Sequence, residues 1–163
     1  MQILVISDSH GSCASIKLLL DRYKNKVQTV AHLGDNATDL LKYQSQYPNL
    51  ELIAVAGNCD STSTAPKERI LTLGTVAPRR ILMLHGHSHN AKMSYDRLMY
   101  YAQEKEADAC LFGHSHIPAV FVHGPVLFFN PGSVSEPRGM SRAGYGLITV
   151  DENGHITGEA VSL

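Results

Sequence analysis

Ile3-Leu-Val-Ile-Ser-Asp-Ser-His-Gly11 is an apolar run that closes with an acid and a histidine two residues apart and stops on a glycine. Successive side chains of an extended chain alternate between its two faces, so residues i and i+2 point the same way. A strand through Ile6 therefore presents Asp8 and His10 side by side at its carboxyl end. Two ligand-type groups in this position indicate a metal, although Asp-x-His alone is too common in loops to decide the matter.

The residues after Gly11 alternate between helix and strand patterns. Ser12 is the predicted N-cap of a helix whose apolar positions recur at helical spacing, namely Ile16, Leu19, Leu20 and Tyr23. Strands are predicted at 27–33 and 50–56, with a helix at 38–46 that ends ahead of Pro48. This alternation favours an α/β half with parallel strands.

The second half of the chain is richer in strand patterns. Strands are predicted at 70–73, 80–85 and 109–112, and an amphipathic helix at 94–106. Four short strands follow, at 119–122, 126–129, 145–150 and 155–161, and Asn153-Gly154 is a strong hairpin signal between the last two. This half is therefore predicted to be mainly antiparallel, and the simplest packing is two sheets face to face with helices outside.

Length and composition exclude several classes of protein. The 163 residues suit a single domain, 1–163, with one catalytic or binding site. A formal net charge of −1 argues against a surface that coats nucleic acid, and no apolar run is long enough to span a membrane. Cys13, Cys59 and Cys110 form no C-x-x-C pair and are too scattered for a disulfide framework. We expect a soluble cytoplasmic protein without nucleic-acid or membrane partners.

Five predicted strands end in metal-ligand chemistry. The strand ends are Asp8-Ser-His10, Gly34-Asp35-Asn36, Gly57-Asn58-Cys59-Asp60, His85-Gly86-His87 and Gly113-His114-Ser115-His116. Open α/β sheets bind ligands at the carboxyl ends of their strands, so these segments are predicted to converge although they are far apart in sequence.

These motifs, in this order, resemble the calcineurin-like metallophosphoesterases, whose pattern is D-x-H, G-D, G-N-H-D/E, H and G-H-x-H. The spacing, the short length and the later Asn130-Pro-Gly-Ser133 are most similar to the small YfcE-type phosphodiesterase branch. The resemblance implies the four-layer α-β-β-α sandwich of that family, with two mixed β-sheets flanked by helices. It also implies a dinuclear phosphodiesterase that cleaves a small phosphate diester by attack of a metal-bridging hydroxide.

The resemblance implies a ligand set for two divalent ions. Asp8, His10, Asp35 and His116 would hold one ion, and Asp35, Asn58, His85 and His114 the other, so that Asp35 bridges them. Sharing is chemically sound, because two ions about 3.5–4 Å apart need a bridging carboxylate and hydroxide between them. Mixed imidazole and oxygen donors suit Mn²⁺, Ni²⁺, Fe²⁺, Co²⁺ or Zn²⁺ better than Mg²⁺ or Ca²⁺ but do not choose among the five. We expect Mn²⁺. Asp35, Asn58 and His87 are the predicted catalytic residues.

One position departs from the family pattern. Many relatives have a histidine after the asparagine of the third motif, where this chain has Cys59. General acid catalysis of that kind raises the rate by roughly 10²–10⁴-fold. Without the histidine we expect diesters to be better substrates than alkyl monoesters. Asp60 or His87 could partly replace it as the general acid. A cysteine-phosphatase loop is excluded, because no arginine stands six residues after any cysteine.

The remaining polar positions have plainer interpretations. His32, His123 and His155 are predicted to be core or surface residues, and Asn130-Pro-Gly-Ser133 either a structural corner or a support of the site. Three other functions stay open beside the diesterase: a phosphomonoesterase, a nuclease, and a non-catalytic scaffold like the retromer-subunit relatives. Many small relatives form oligomers, so a homo-oligomer is also compatible with the sequence.

Overall fold

The computed structural model describes residues 1–163. The strands are β1 Gln2–Ile6, β2 Thr29–His32, β3 Glu51–Ala54, β4 Glu68–Leu73, β5 Arg79–Leu84, β6 Ala109–Leu111, β7 Ala119–His123, β8 Val126–Asn130, β9 Gly144–Val150 and β10 Ile156–Ser162. The α-helices are α1 Cys13–Tyr23, α2 Thr38–Leu41 and α3 Asp96–Glu104, and a 3₁₀-helix covers His87–His89. None of these helices has the length and apolarity that a membrane crossing requires.

The strands form two mixed sheets of five. Their orders are β10-β9-β1-β2-β3 and β4-β5-β6-β8-β7. Ile3, Val5, Ile81, Met83 and Phe129 belong to a fully buried cluster contributed by strands of both sheets, and two further clusters pack the helices against the outer faces. The predicted four-layer α-β-β-α architecture is confirmed.

The second half is less antiparallel than predicted. β5, β6 and β8 run parallel to one another, whereas the hairpins β4–β5, β7–β8 and β9–β10 are antiparallel. The reason is that α3 connects β5 to β6 as a crossover, which returns the chain in the same direction. β9 then pairs antiparallel with β1, with Ile148 opposite Ile3, so the last hairpin completes the first sheet.

The cap and helix signals of the sequence marked the right positions, but the contacts and the helix lengths differ from those predicted. Ser12 stands at the N-cap of α1, yet its Oγ lies 3.0 Å from Ser15 Oγ and caps no backbone N–H. α2 is one turn long, and Gln44 beyond it hydrogen-bonds Leu50 and Leu52 at the start of β3. The strand ends that carry the predicted ligands all face the same edge of the sandwich.

Candidate metal centre

The loops after β1, β2 and β6 have an unusual backbone. Six non-glycine residues in them take positive φ values, from 43° to 69°: Asp8, His10, Asp35, Asn36, His114 and His116. Such conformations cost free energy and persist where the surrounding structure enforces them, which is often at functional sites. These are the three loops whose side chains converge in one small volume.

The first cluster joins the ends of β1, β2 and β6. One ligand atom from each of Asp8, His10, Asp35 and His116 lies within 4.8 Å of the others. Asp8 Oδ1 is 3.2 Å from His116 Nε2, and His10 Nε2 is 3.3 Å from His116 Nε2. Two carboxylates and two imidazoles at this spacing form a donor set suited to a divalent transition metal.

The second cluster consists of Asp35, His85 and His114, whose ligand atoms also lie within 4.8 Å of one another. The two carboxylate oxygens of Asp35 face different clusters. Oδ1 is 3.3 Å from His85 Nε2 in the second cluster, and Oδ2 is 3.7 Å from His10 Nε2 in the first. A carboxylate in this position has the geometry of a bridge.

Several buried ligand atoms lack hydrogen-bond partners. They are Asp8 Oδ1, His85 Nε2 and His114 Nδ1. Buried polar atoms are nearly always hydrogen-bonded, and each exception needs an explanation. The residues therefore fit bound cations, one beside Asp8 Oδ1 in the first cluster and one beside His85 and His114 in the second.

Two of the histidines are fixed in orientation by backbone carbonyls. His85 Nδ1 lies 2.7 Å from Leu33 O, and His116 Nδ1 lies 2.6 Å from Glu136 O. Each Nδ1–H donates to its carbonyl, which directs Nε2 of both rings toward the carboxylates. This is the arrangement found around metal-ligating histidines.

The electrostatics keep the carboxylates ionised. Burial opposes the charge of Asp8, but the nearby ring of His116, the charge of His85 and the Ser7 hydroxyl outweigh it, so the pKa of Asp8 lies below its ordinary value. Burial likewise opposes the charge of Asp35, yet His85 and the Cys59 N–H lower its pKa further. Burial, followed by the charge of His85, lowers the pKa of His114 to about 4, which keeps this ring a neutral donor.

Two acids that sequence reasoning did not place hold the site loops. Asp39 Oδ2 accepts hydrogen bonds from Gly11 N–H and Ser9 Oγ, both at 2.8 Å. Asp60 accepts from Ala37 N–H at 2.9 Å and Gly57 N–H at 2.8 Å. Both oxygens of Asp60 are occupied, which argues against its predicted part as a substitute general acid.

The segment Asn130-Pro-Gly-Ser133 supports the site directly. Buried Asn130 donates from Nδ2 to Gly113 O at 2.8 Å, and Ser133 donates from Oγ to Asp8 O at 2.7 Å. His32, also buried, lies 3.0 Å from Ser9 Oγ, so it belongs to this supporting layer, whereas His123 and His155 are exposed elsewhere. The Asn130-Pro-Gly-Ser133 motif was the sequence signal for this support, whereas the role of His32 had no signal in the sequence.

The third-motif residues lie at the rim of the site. Asn58 is exposed and its side-chain amide donates to Cys59 Sγ at 3.3 Å, while Cys59 N–H donates to Asp35 Oδ1 at 2.9 Å. Burial and the charge of Asp35 raise the pKa of Cys59, so its thiol is protonated and is a poor nucleophile. His87 is half-buried, with its ring centroid 5.4 Å from that of His85.

A four-layer sandwich whose strand ends bring two histidine–carboxylate clusters together defines a metalloprotein of the α-β-β-α class. Residues 1–153 match the sequence profile of the calcineurin-like phosphoesterase superfamily domain. The chain belongs to that superfamily, as the sequence motifs predicted.

Relatives agree with this assignment. The chain is 36% identical to the probable metallophosphoesterase YsnB of Bacillus subtilis, over 94% of this chain and 86% of the relative. It is 28% identical to the phosphodiesterase YfcE of Escherichia coli, over 93% and 89%. A Streptococcus pneumoniae structure described as a predicted phosphoesterase superimposes with a TM-score of 0.79 at 35% identity, over 92% of this chain and 83% of that one.

The chain is also similar to a relative that is not named as a phosphoesterase. The vacuolar protein sorting-associated protein 29 of Schizosaccharomyces pombe is 30% identical, over 83% of this chain and 73% of the relative. The superfamily therefore includes proteins named for sorting as well as for ester hydrolysis.

Proposed function

We propose that residues 1–163 form a single phosphodiesterase domain with a dinuclear metal site. The observation that carries this proposal is Asp35, whose two oxygens face separate clusters of ligand-type side chains. The buried atoms without partners support it, because a cation would satisfy them.

The ligand assignment combines the two clusters with the family pattern. Asp8, His10 and His116 would hold one ion, His85 and His114 the other, and Asp35 would be shared between them, with Mn²⁺ the favoured metal. Asn58, an exposed residue at the rim, is assigned to the second ion from the family pattern alone. When bound, such a pair supplies a water-derived nucleophile and neutralises phosphoryl oxygens. Asp8 and Asp35 fix the charge of the site, while the carbonyls behind His85 and His116 fix the ring orientations.

The residues at the rim favour a diester. Cys59 stands where a histidine would assist departure of a poor leaving group, and its protonated thiol is a weak acid. His87 stands beside His85 and is the remaining side chain assigned to catalysis. The similarity to phosphodiesterase YfcE supports the same choice.

The decisive experiment compares bis(4-nitrophenyl) phosphate with 4-nitrophenyl phosphate in the presence of Mn²⁺, Ni²⁺, Co²⁺ or Zn²⁺. We expect metal-dependent hydrolysis of the diester and a slower monoester reaction. Asp35→Asn should abolish both, whereas Asp21→Asn, which removes an exposed carboxylate on α1, should change neither. Full activity in Asp35→Asn would reject the bridging assignment.

The rival function is a non-catalytic scaffold, favoured by the similarity to the sorting-associated protein 29. Absence of hydrolysis with every metal, together with metal binding by calorimetry, would support the scaffold. The Cys59→His variant separates the diesterase from the monoesterase, because a restored general acid should raise turnover of an alkyl phosphomonoester, which has a poor leaving group, by roughly 10-fold or more. An unchanged monoester rate would show that Cys59 does not set the preference.

A further inference from the structure

A small cavity lies beside the second cluster. It has a volume of about 190 Å³, and its lining includes Lys67, His85, His87, His89 and Tyr101. Pockets that enclose a whole drug-sized ligand measure roughly 300–1,000 Å³. Because His85 is shared by the cavity and the cluster, this space suits one substituent of an ester whose phosphate lies at the metals.

The one carboxylate of the lining, that of Glu68, is already neutralised. Tyr101 Oη donates to Glu68 Oε2 at 2.5 Å, and Lys105 Nζ lies 2.8 Å from Glu68 Oε1. Both oxygens of Glu68 are thus occupied, and it offers little attraction to a cationic or donor-rich ligand.

The groups that remain are positively charged or neutral donors. Lys67 is exposed and makes no ion pair. The carboxylate of Glu68 is held by Tyr101 and Lys105, both of which bind it directly. The ammonium group of Lys67 is therefore the one charge of the lining that no neighbouring group balances.

Two polar atoms of the lining also lack partners. Nδ1 of His87 and Nδ1 of His89 are buried and make no hydrogen bond, while the His89 ring packs on Tyr101 with centroids 4.5 Å apart. The two ring planes are tilted by 42°, and this contact restricts the movement of the His89 ring. An imidazole nitrogen without a partner can donate as N–H, and beside the unbalanced charge of Lys67 such a group is complementary to an oxyanion.

We propose that this cavity is a subsite for an anionic ester substituent, a phosphate, phosphonate or carboxylate, bound by Lys67 and His89 while the scissile phosphodiester lies at the metal clusters. The inference rests on the proposed phosphodiesterase function and deepens it by assigning the substrate class. Lys67 and His89 are then specificity-determining residues rather than catalytic ones.

The test uses two diesters that differ in one charge-bearing group, 4-nitrophenyl ethyl phosphate and 4-nitrophenyl 2-phosphonoethyl phosphate, at one Mn²⁺ concentration. Hydrolysis is followed by ³¹P NMR, which registers cleavage of either ester bond. We expect kcat/KM to be about tenfold higher for the phosphonate, through a lower KM, which is the size of one charged hydrogen bond. Lys67→Gln should reduce this ratio to about twofold, and His89→Asn should reduce it in part.

The matched control is Lys26→Gln, which removes an exposed lysine before β2 at the opposite edge of the sheet. It should keep the tenfold ratio. Equal kcat/KM for the two diesters in the wild type, or a ratio that Lys67→Gln leaves intact, would overturn the subsite while leaving the phosphodiesterase in place. Failure of both diesters with every divalent metal would overturn the phosphodiesterase and the subsite together.

Discussion

The two edges of the sandwich differ in what their cavities contain. The larger cavity, of about 540 Å³, lies at the edge opposite the metal clusters and is lined by Arg79, Asp108 and Gly154 among others. There Arg79 Nε donates to Gly154 O at 2.7 Å, and Asp108 accepts from Arg80 N–H at 2.7 Å. Polar groups that are already hydrogen-bonded to each other gain little by binding a ligand.

The metal-cluster edge has a smaller cavity and more polar atoms without hydrogen-bond partners. Buried ligand atoms without partners are concentrated there, as are six of the eight non-glycine residues with positive φ. The comparison teaches that unsatisfied polar atoms and backbone strain mark a functional site better than cavity volume does. Four experiments test this contrast.

The largest effect is expected from Asp8→Asn. The substitution keeps the shape of a fully buried side chain but removes its charge and turns one lone-pair position into a donor. We expect kcat/KM for the aryl diester to fall by about 10³-fold or more, since metal ions stabilise the transition state by several kcal/mol. Steady-state kinetics and metal analysis measure the result.

Asp108→Asn is the matched variant at the opposite edge, and its kcat/KM should stay within about twofold of the wild type. Near-normal rate and metal content in Asp8→Asn would mean that the first cluster is not a metal site. A large rate loss in Asp108→Asn would instead break the contrast between the edges.

Metal removal should have the next largest effect. Divalent ion at about 100 times its dissociation constant stabilises the folded state by about 2.7 kcal/mol, which raises Tm by about 5–10 °C in a chain of this size. Chelated wild-type protein should melt lower by that amount in differential scanning fluorimetry. The shift should shrink sharply in Asp8→Asn and persist in Asp108→Asn. Equal shifts in both variants would locate the binding elsewhere.

The sequence carried enough information to predict that most of the candidate metal ligands lie close together. Asp8, Asp35, His85 and His114 each follow a buried strand, so hydrophobic runs locate them, and parallel strands bring their ends to one edge. The pairing of β9 with β1 was not visible, because a strand's partner depends on long-range packing and not on its own pattern.

The supporting layer was also hidden. Asp39, Asp60 and Ser133 act by holding backbone groups of loops distant in sequence, and serines and aspartates serve surfaces, turns and caps equally often. The Asn130-Pro-Gly-Ser133 turn was recognised, but only the fold shows that it reaches Asp8 O.

A smaller effect is expected when that supporting layer is weakened by Ser133→Ala. Ser133 Oγ donates to Asp8 O and accepts from Glu136 N–H, both at 2.7 Å. Its loss removes the partner of Glu136 N–H and leaves Asp8 O with the longer hydrogen bond from Ser135 Oγ, at 3.2 Å. We expect metal affinity to fall by about 10–100-fold and unfolding free energy by about 1–3 kcal/mol. Calorimetric titration and urea denaturation measure the two quantities.

Thr29→Val is the comparison for Ser133→Ala, because it removes one hydroxyl hydrogen bond, to Glu51, near the opposite edge. It should lower stability without weakening metal binding. If both variants weakened metal binding equally, the Ser133 effect would reflect general destabilisation and not loop positioning.

The smallest effect is expected from Arg79→Met in the larger cavity. The variant removes the hydrogen bond to Gly154 O and a 3.3 Å ion pair with Asp108, whose side chains are 38% and 33% exposed. A partly exposed ion pair contributes little, so urea denaturation should show a loss of only about 0.5–1.5 kcal/mol, most of it from the hydrogen bond. Diester hydrolysis and the metal-induced rise in Tm should both equal those of the wild type. A fall in either would mean that the larger cavity communicates with the metal clusters, and that the paired groups of this edge do more than close the β9–β10 turn.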